Sequence, residues 1–129
     1  MRLDNVFGIH EQALKLRSQR AELLASNMAN ADTPGFKARD IDFKQALKGE
    51  MVPPVRIQRT HTNHISAATS GISLAQLLYR VPSQPSLDGN TVDPDVEKSA
   101  FAANALEYQA SLRFLSGKIN GLRRAIKGE

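Results

Sequence analysis

The side chains best suited to metal chemistry are two histidines in the middle of the chain. His61 and His64 lie three positions apart, a spacing that places two imidazoles on one side of a helix. The residues around them show no helical pattern, however, and no cluster of carboxylates stands beside them to complete a ligand set. We therefore predict no metal site and no cofactor.

Four oxygen-bearing side chains lie around the start of the last segment: Asp88, Asn90, Asp93 and Asp95. Such groups bind calcium in many proteins, but their spacing here is not that of an EF-hand loop. The sequence also marks out no nucleophile with a neighbouring base, and no glycine-rich phosphate loop follows a strand. The chain contains no cysteine, which excludes thiol nucleophiles and disulfides. These patterns favour a protein that is not an enzyme.

The net charge of +4 comes from 17 basic and 13 acidic residues. Nucleic acid and anionic membrane surfaces are conceivable partners for such a chain. Its densest basic group is Arg123, Arg124 and Lys127. Near the C-terminal end of a helix, such cations interact favourably with the negative end of the helix dipole. No aromatic residues are interleaved with this group to stack on bases. We therefore favour a role for this basic group in stabilising a helix end. A soluble coiled-coil adaptor or a nucleic-acid-binding helical protein is the alternative function.

The strongest periodic pattern predicts a long helix in the last segment. Asp93 suits the N-cap and Pro94 the first helical position. The apolar residues that follow alternate in steps of four and three, which is typical of a coiled-coil seam: Phe101, Ala105, Tyr108, Leu112, Leu115, Ile119, Leu122 and Ile126. A second face carries small residues that let another backbone come close: Ala103, Ala110, Gly117 and Gly121.

Residues from about 4 to 31 predict another helix, because apolar residues recur every three or four positions without an internal proline. They form two adjoining stripes, which implies more than one packing partner. The first stripe contains Phe7, Leu14, Ala21, Leu24, Met28 and Ala31, and the second contains Val6, Ile9, Ala13, Leu16 and Leu23.

The first helix is predicted to end in a turn. Pro34 disfavours helical geometry at Thr33, and Gly35 accepts a positive φ, so together they indicate a type II turn. Residues 36–43 predict an extended segment or a short helix, and strand character is possible at 55–59. Residues 77–92 predict an extended arm and then a tight hairpin or loop at Asp88 and Gly89.

Two long helices at opposite ends of a chain pair only if the middle folds back between them. We therefore predict a mainly α fold in which the terminal helices pair as a coiled-coil-like stem. Residues 1–35 and 93–129 then form one helical assembly domain, and residues 36–92 form a short irregular segment that contains some β structure.

The run from Ala25 to Phe36 resembles the signature of the flagellar rod and hook protein family. That signature is a helix that ends in two asparagines and a Thr-Pro-Gly-aromatic turn. Here it comprises Asn27, Asn30, Thr33, Pro34, Gly35 and Phe36. Residues 77–82 and 84–93, together with the short middle, resemble the proximal rod members of the family rather than the larger ones.

The resemblance implies a structural subunit that polymerises through its terminal helices into a tube around an export channel, and that motility requires. It implies contacts with other rod proteins, with the adaptor between rod and membrane ring, and with the export apparatus. Family members leave the cytoplasm by type III export and add on the periplasmic side. The N-terminal residues contain no apolar stretch followed by a cleavage site, so we expect no cleaved signal peptide.

Overall fold

The computed structural model describes residues 7–51 and 77–128. In chain order its elements are α1 (Gly8–Ala29), β1 (Arg39–Ile41), α2 (Phe43–Met51), β2 (Leu77–Tyr79) and α3 (Pro94–Lys127). The predicted mainly α fold with two paired terminal helices is confirmed. The strand considered at 55–59, the histidines at 61 and 64, and Val6 lie outside the described residues. None of the helices in the described part is long and apolar enough to cross a membrane.

The two terminal helices run antiparallel. Asn27, near the end of α1, donates to Glu97 in the first turns of α3 at 3.1 Å. Earlier in α1, the backbone carbonyl of Arg17 accepts a hydrogen bond from Asn104 at 2.9 Å. Because α3 has 34 residues and α1 has 22, the last turns of α3 extend past the first residue of α1.

The ends of α3 follow the capping signals in the sequence. The Asp93 side chain accepts hydrogen bonds from the backbone N–H groups of Asp95 and Val96, and Pro94 begins the helix. Gly128 ends it with a φ of 76°, the left-handed conformation that closes many helices. Helix α1 ends at Ala29, two residues earlier than predicted, because the next residues already form the turn.

The middle segment combines a two-stranded ribbon with a short helix. Strands β1 and β2 pair antiparallel, with Asp40 opposite Leu78. Helix α2 begins after Asp42, whose Oδ1 accepts from the backbone N–H groups of Lys44 and Gln45 at 3.0 and 3.1 Å. The sequence left residues 36–43 as either extended or helical, and the structure shows a strand followed by the start of a helix.

A small apolar core joins this middle segment to α1. Leu16 of α1, Ile41 of β1 and Ala46 of α2 form its buried centre. Half-buried side chains surround that centre: Leu23, Phe43, Leu47 and Leu77. Helix α1 therefore packs against α2 and the ribbon on one flank and against α3 on another.

Candidate assembly site

The turn after α1 is held by a second loop, residues 86–91. The backbone N–H of Gly35 donates to the Asp88 carbonyl at 2.9 Å, and the Phe36 carbonyl accepts from Thr91 at 3.0 Å. Gly35 has a φ of +71°, as a type II turn requires at this position. Gly89 comes so close that a Cβ there would lie 3.8 Å from the Gly35 Cα. The predicted turn thus exists as half of a two-loop contact.

The side chain of Asn90 completes the end of α1. Its Nδ2 donates to the carbonyls of Asn30, Ala31 and Thr33 at 3.1, 2.7 and 2.9 Å. These carbonyls follow the helix, where intrahelical donors run out. Asn90 is 6% exposed, so water has little access to replace it. Sequence reasoning placed Asn90 only among calcium-type side chains and missed this role, although it follows a turn glycine in a stretch that carries the family resemblance.

Removing this donor is expected to destabilise the fold measurably. Asn90→Ala should lower the free energy of unfolding by about 1–3 kcal/mol, because the buried amide and its hydrogen bonds to three carbonyls are lost. Urea titration followed by circular dichroism measures the change. Asn120→Ala, at an exposed position of α3, is the matched control and should change stability by less than about 0.5 kcal/mol. Equal stability of the two variants would contradict the capping role.

Within the signature, the side chains of Asn30 and Asn27 form hydrogen bonds of different range. Asn30 is local: its Nδ2 donates to the Ser26 carbonyl at 2.8 Å, and its Oδ1 accepts from the Thr33 hydroxyl at 3.1 Å. Asn27 is 1% exposed and makes long-range bonds, with Nδ2 donating to the Arg39 carbonyl at 2.8 Å and Oδ1 accepting from the Arg39 N–H at 3.1 Å. Together they fix both the exit of the chain and the position of β1.

Asn27 also belongs to a partly buried ion network. Arg20 donates to both carboxylate oxygens of Asp40 at 2.8 and 2.9 Å. Arg80 bridges Asp40 at 2.6 Å and Glu97 at 2.5 Å. Glu97 is fully buried and also accepts from Asn27. This ion network, Arg20, Asp40, Arg80, Glu97 and Asn27, joins α1, the ribbon and α3, and sequence reasoning did not find it.

The network changes the acidity of its members. Burial raises the pKa of Asp40, but hydrogen bonds from Arg20, from the Ile41 N–H and from Arg80 outweigh it, and the pKa of Asp40 lies below its usual value. The hydrogen bond to Asp40 likewise raises the pKa of Arg20. Both groups are therefore charged at neutral pH.

This shift predicts an acid-sensitive fold. A carboxyl group with a lowered folded-state pKa stabilises the protein above its unfolded-state value near 3.8, and that stabilisation is lost as pH falls through the folded-state value. We expect the free energy of unfolding to decrease below about pH 4, and Asp40→Asn to weaken this dependence. Denaturant titrations between neutral and acidic pH measure it, with Asp32→Asn, at an exposed position, as the control. If the free energy of unfolding decreases equally at acidic pH in all three proteins, Asp40 does not cause the decrease.

The predicted packing residues of α1 and α3 are covered to different degrees. On α1, Leu16 and Leu24 are buried, and Leu14 and Met28 are half-buried, as is Phe7 just before the helix. On α3, the predicted coiled-coil seam lies only partly against α1. Its half-buried members are Leu115 and Leu122, and its exposed members are Phe101, Ala105, Tyr108, Leu112, Ile119 and Ile126. Gly117 and Gly121 are exposed, with open space beside both.

One end of this seam borders a groove between α1 and α3. Its volume is about 270 Å³. The side chain of Asn104 is 2% exposed and lies in its wall, and its Oδ1 has no hydrogen-bond partner. Arg17, another wall residue, pairs with Glu107 and stacks over the Phe43 ring at 4.0 Å, while its Nε is unpartnered. The remaining walls are Ser18, Ala21, Phe101, Ala105, Tyr108 and Gln109.

The described part of the site offers contacts for packing. Within residues 7–51 and 77–128, no three His, Asp or Glu side chains are placed to hold a metal ion. What α1 and α3 present instead is an apolar surface that is partly open along α3 and a groove with an unpartnered acceptor. Surfaces of this kind bind other helices.

Comparison with known proteins agrees with these features. The family described as flagella basal body rod protein matches residues 7–37, which include α1 and the turn after it. The flagellar basal body rod protein FlgB of Aeromonas hydrophila is 52% identical over 128 residues, with 98% of this chain and 96% of that protein covered. Its Escherichia coli (strain K12) counterpart is 48% identical over 132 residues with the same coverage. The Cereibacter sphaeroides protein is 49% identical over 122 residues, covering 95% of this chain and 94% of that protein.

Proposed function

This chain belongs to the flagellar basal body rod protein family, and on that premise we propose that it polymerises through its terminal helices into a tube around an export channel. As a family member it is a structural subunit of the basal-body rod, not an enzyme, and it associates with other basal-body components. The similarity to rod proteins also favours a rod subunit over the two alternatives from the sequence, a coiled-coil adaptor and a nucleic-acid-binding protein.

The observation that supports polymerisation is the open seam on α3. Phe101, Leu112 and Ile119 are 38, 45 and 39% exposed although they continue a regular apolar pattern. Apolar surface removed from water contributes about 25 cal/mol per Å². A neighbouring helix that covers the seam would therefore gain stability in proportion to its length. The exposed seam is explained if copies of the chain, or other rod proteins, supply that helix.

The same proposal assigns different positions in the assembly to different segments of the chain. Residues 1–35 and 93–129 form the assembly domain, and residues 36–92 lie further from the channel. The antiparallel packing of α1 on α3 supports the first assignment. The attachment of α2 to a different flank of α1 from α3 supports the second. The signature turn and its loop set the angle at which the chain leaves the assembly domain.

The location follows from the same function. The subunit passes through the flagellar export apparatus without signal-peptide cleavage and adds on the periplasmic side of the inner membrane. There it links the membrane ring and export gate to the distal rod, through contacts with the rod-to-ring adaptor and with other rod proteins. Swimming requires its presence.

Deletion and complementation test this proposal. Cells that lack the gene should not swim, and a tagged copy should restore swimming and copurify with isolated basal bodies. A cleaved signal would make the mature tagged chain shorter than the encoded one, so mass spectrometry of the intact protein checks the export route. Normal swimming of the deletion strain, with the tagged chain confined to the cytoplasm, would reject the rod function.

A further inference from the structure

We propose that Asn120 and Gly121 form a deamidation site, and that the order of the carboxyl-terminal turns of α3 controls its rate. Of the seven asparagines in the chain, Asn120 alone is followed by glycine. Deamidation begins when the backbone nitrogen of the next residue attacks the side-chain carbonyl carbon of asparagine. Glycine favours this attack, because it has no Cβ to hinder the approach and adopts backbone conformations that other residues avoid.

The reaction needs no reagent other than water. The Gly121 nitrogen forms a bond to the Cγ of Asn120, and the side-chain amide nitrogen leaves as ammonia, together with the proton from the Gly121 N–H. Water then opens the resulting five-membered succinimide at either of its two carbonyl carbons. One product is aspartate at position 120, and the other is isoaspartate, in which the side-chain carboxyl group continues the backbone.

The structure leaves this pair accessible to water. Asn120 and Gly121 are both exposed, and a Cβ at Gly121 would meet nothing within 4 Å. Asn104 marks the level of Arg17, because its side chain donates to the Arg17 carbonyl. Helix α1 has nine residues before Arg17, whereas Asn120 is 16 residues beyond Asn104. The pair therefore lies in turns of α3 that extend past the described part of α1.

An ordered helix opposes the reaction. The helical conformation holds the Gly121 nitrogen away from the Asn120 side chain and directs its N–H to the Gly117 carbonyl, four residues earlier. The site therefore reacts when the turns around it open, and helix ends open at low free-energy cost. The local sequence favours opening, because glycine and asparagine have low helix propensity and the helix ends at Lys127.

Deamidation would change the charge of this part of α3. Residues 108–128 contain five basic residues and no acidic one. Asn120 lines an open cavity of about 460 Å³ together with Arg123, Arg124 and Lys127. An aspartate at position 120 would pair favourably with the arginines three and four positions later. Isoaspartate would instead lengthen the backbone by one atom and interrupt the seven-residue spacing of the seam.

Mass spectrometry of the full-length chain tests the site. The purified protein is held at mildly alkaline pH, in buffer and in guanidinium chloride, and its proteolytic peptides are analysed for the two products. We expect both products in both solvents, with slower formation in buffer. Gly121→Ala should slow their formation by more than about tenfold in either solvent, because its Cβ hinders ring closure. Products confined to guanidinium chloride, or equal rates for the two proteins, would overturn the proposal.

Gly117→Ala separates helix order from chemical reactivity. Position 117 is outside the reacting pair, and the open space beside it accepts a methyl group. Because alanine has the higher helix propensity, we expect deamidation at Asn120 to be about fivefold slower in buffer. In guanidinium chloride, where no helix remains, the rate should equal that of the natural chain. Equal rates in buffer, or the same slowing in both solvents, would show that helix order does not control the site.

Discussion

Replacement of Arg80 by methionine is expected to lower the free energy of unfolding by about 3–5 kcal/mol. Arg80 is the ion-pair partner of Glu97, whose side chain has no exposed surface. Without Arg80, the buried Glu97 carboxylate keeps the hydrogen bond from Asn27, and Asp40 keeps those from Arg20 and the Ile41 N–H. Since small domains are stable by about 5–15 kcal/mol, this loss would unfold a considerable fraction of the molecules at moderate urea concentrations.

An exposed ion pair serves as the control that shows the effect of burial. Lys98 and Asp95 are 3.8 Å apart with side chains 69 and 96% exposed, so Lys98→Met should cost less than about 1 kcal/mol. The double variant Arg80→Met, Glu97→Met should recover much of the loss, because no charge is left unpaired at that position. If Arg80→Met is no more sensitive to urea than Lys98→Met, the ion network does not hold the elements together.

The second large effect is expected in cells. Ile119→Asp should reduce swimming to that of a strain without the gene, because a charge on the open seam of α3 prevents a neighbouring helix from packing there. Ile119 is 39% exposed, so the isolated chain should remain folded. Swimming in soft agar and immunoblots of isolated basal bodies measure the two parts of this expectation.

A neighbouring position provides the control for that experiment. Lys118→Asp also introduces an acid on α3, but Lys118 is exposed and lies about 100° around the helix from Ile119. This variant should swim normally. If Ile119→Asp swims as well as Lys118→Asp, the open seam is not used in assembly.

The sequence was sufficient for the terminal helices because their signals are local. The three-and-four spacing from Phe101 onward, the cap at Asp93 and the proline after it all lie within the helix or next to it. The end of α1 was predicted two residues too late. Ala31 continues the apolar stripe, but the side-chain bonds of Asn30 favour a turn over another helical residue.

The middle and the ion network were not predictable in the same way because their partners are distant in sequence. Asp40 is 20 residues from Arg20 and 40 from Arg80, and Glu97 is 70 from Asn27. A carboxylate that is destined for full burial has the same local surroundings in sequence as one that stays in water. Glu97 comes to lie beside Arg80 when α3 packs antiparallel on α1, and no periodic pattern in the sequence predicts that contact.

The position of Asn90 has a consequence for the order in which the molecule becomes native. The carbonyls of Ala31 and Thr33, in the turn that follows α1, receive a donor from a residue about 60 positions later. A chain that appears from its amino end therefore leaves this turn without that donor until more than two-thirds of its length is present. Closure of so long a loop costs conformational entropy before it gains any contact, so the last step of folding waits for the carboxyl-terminal third.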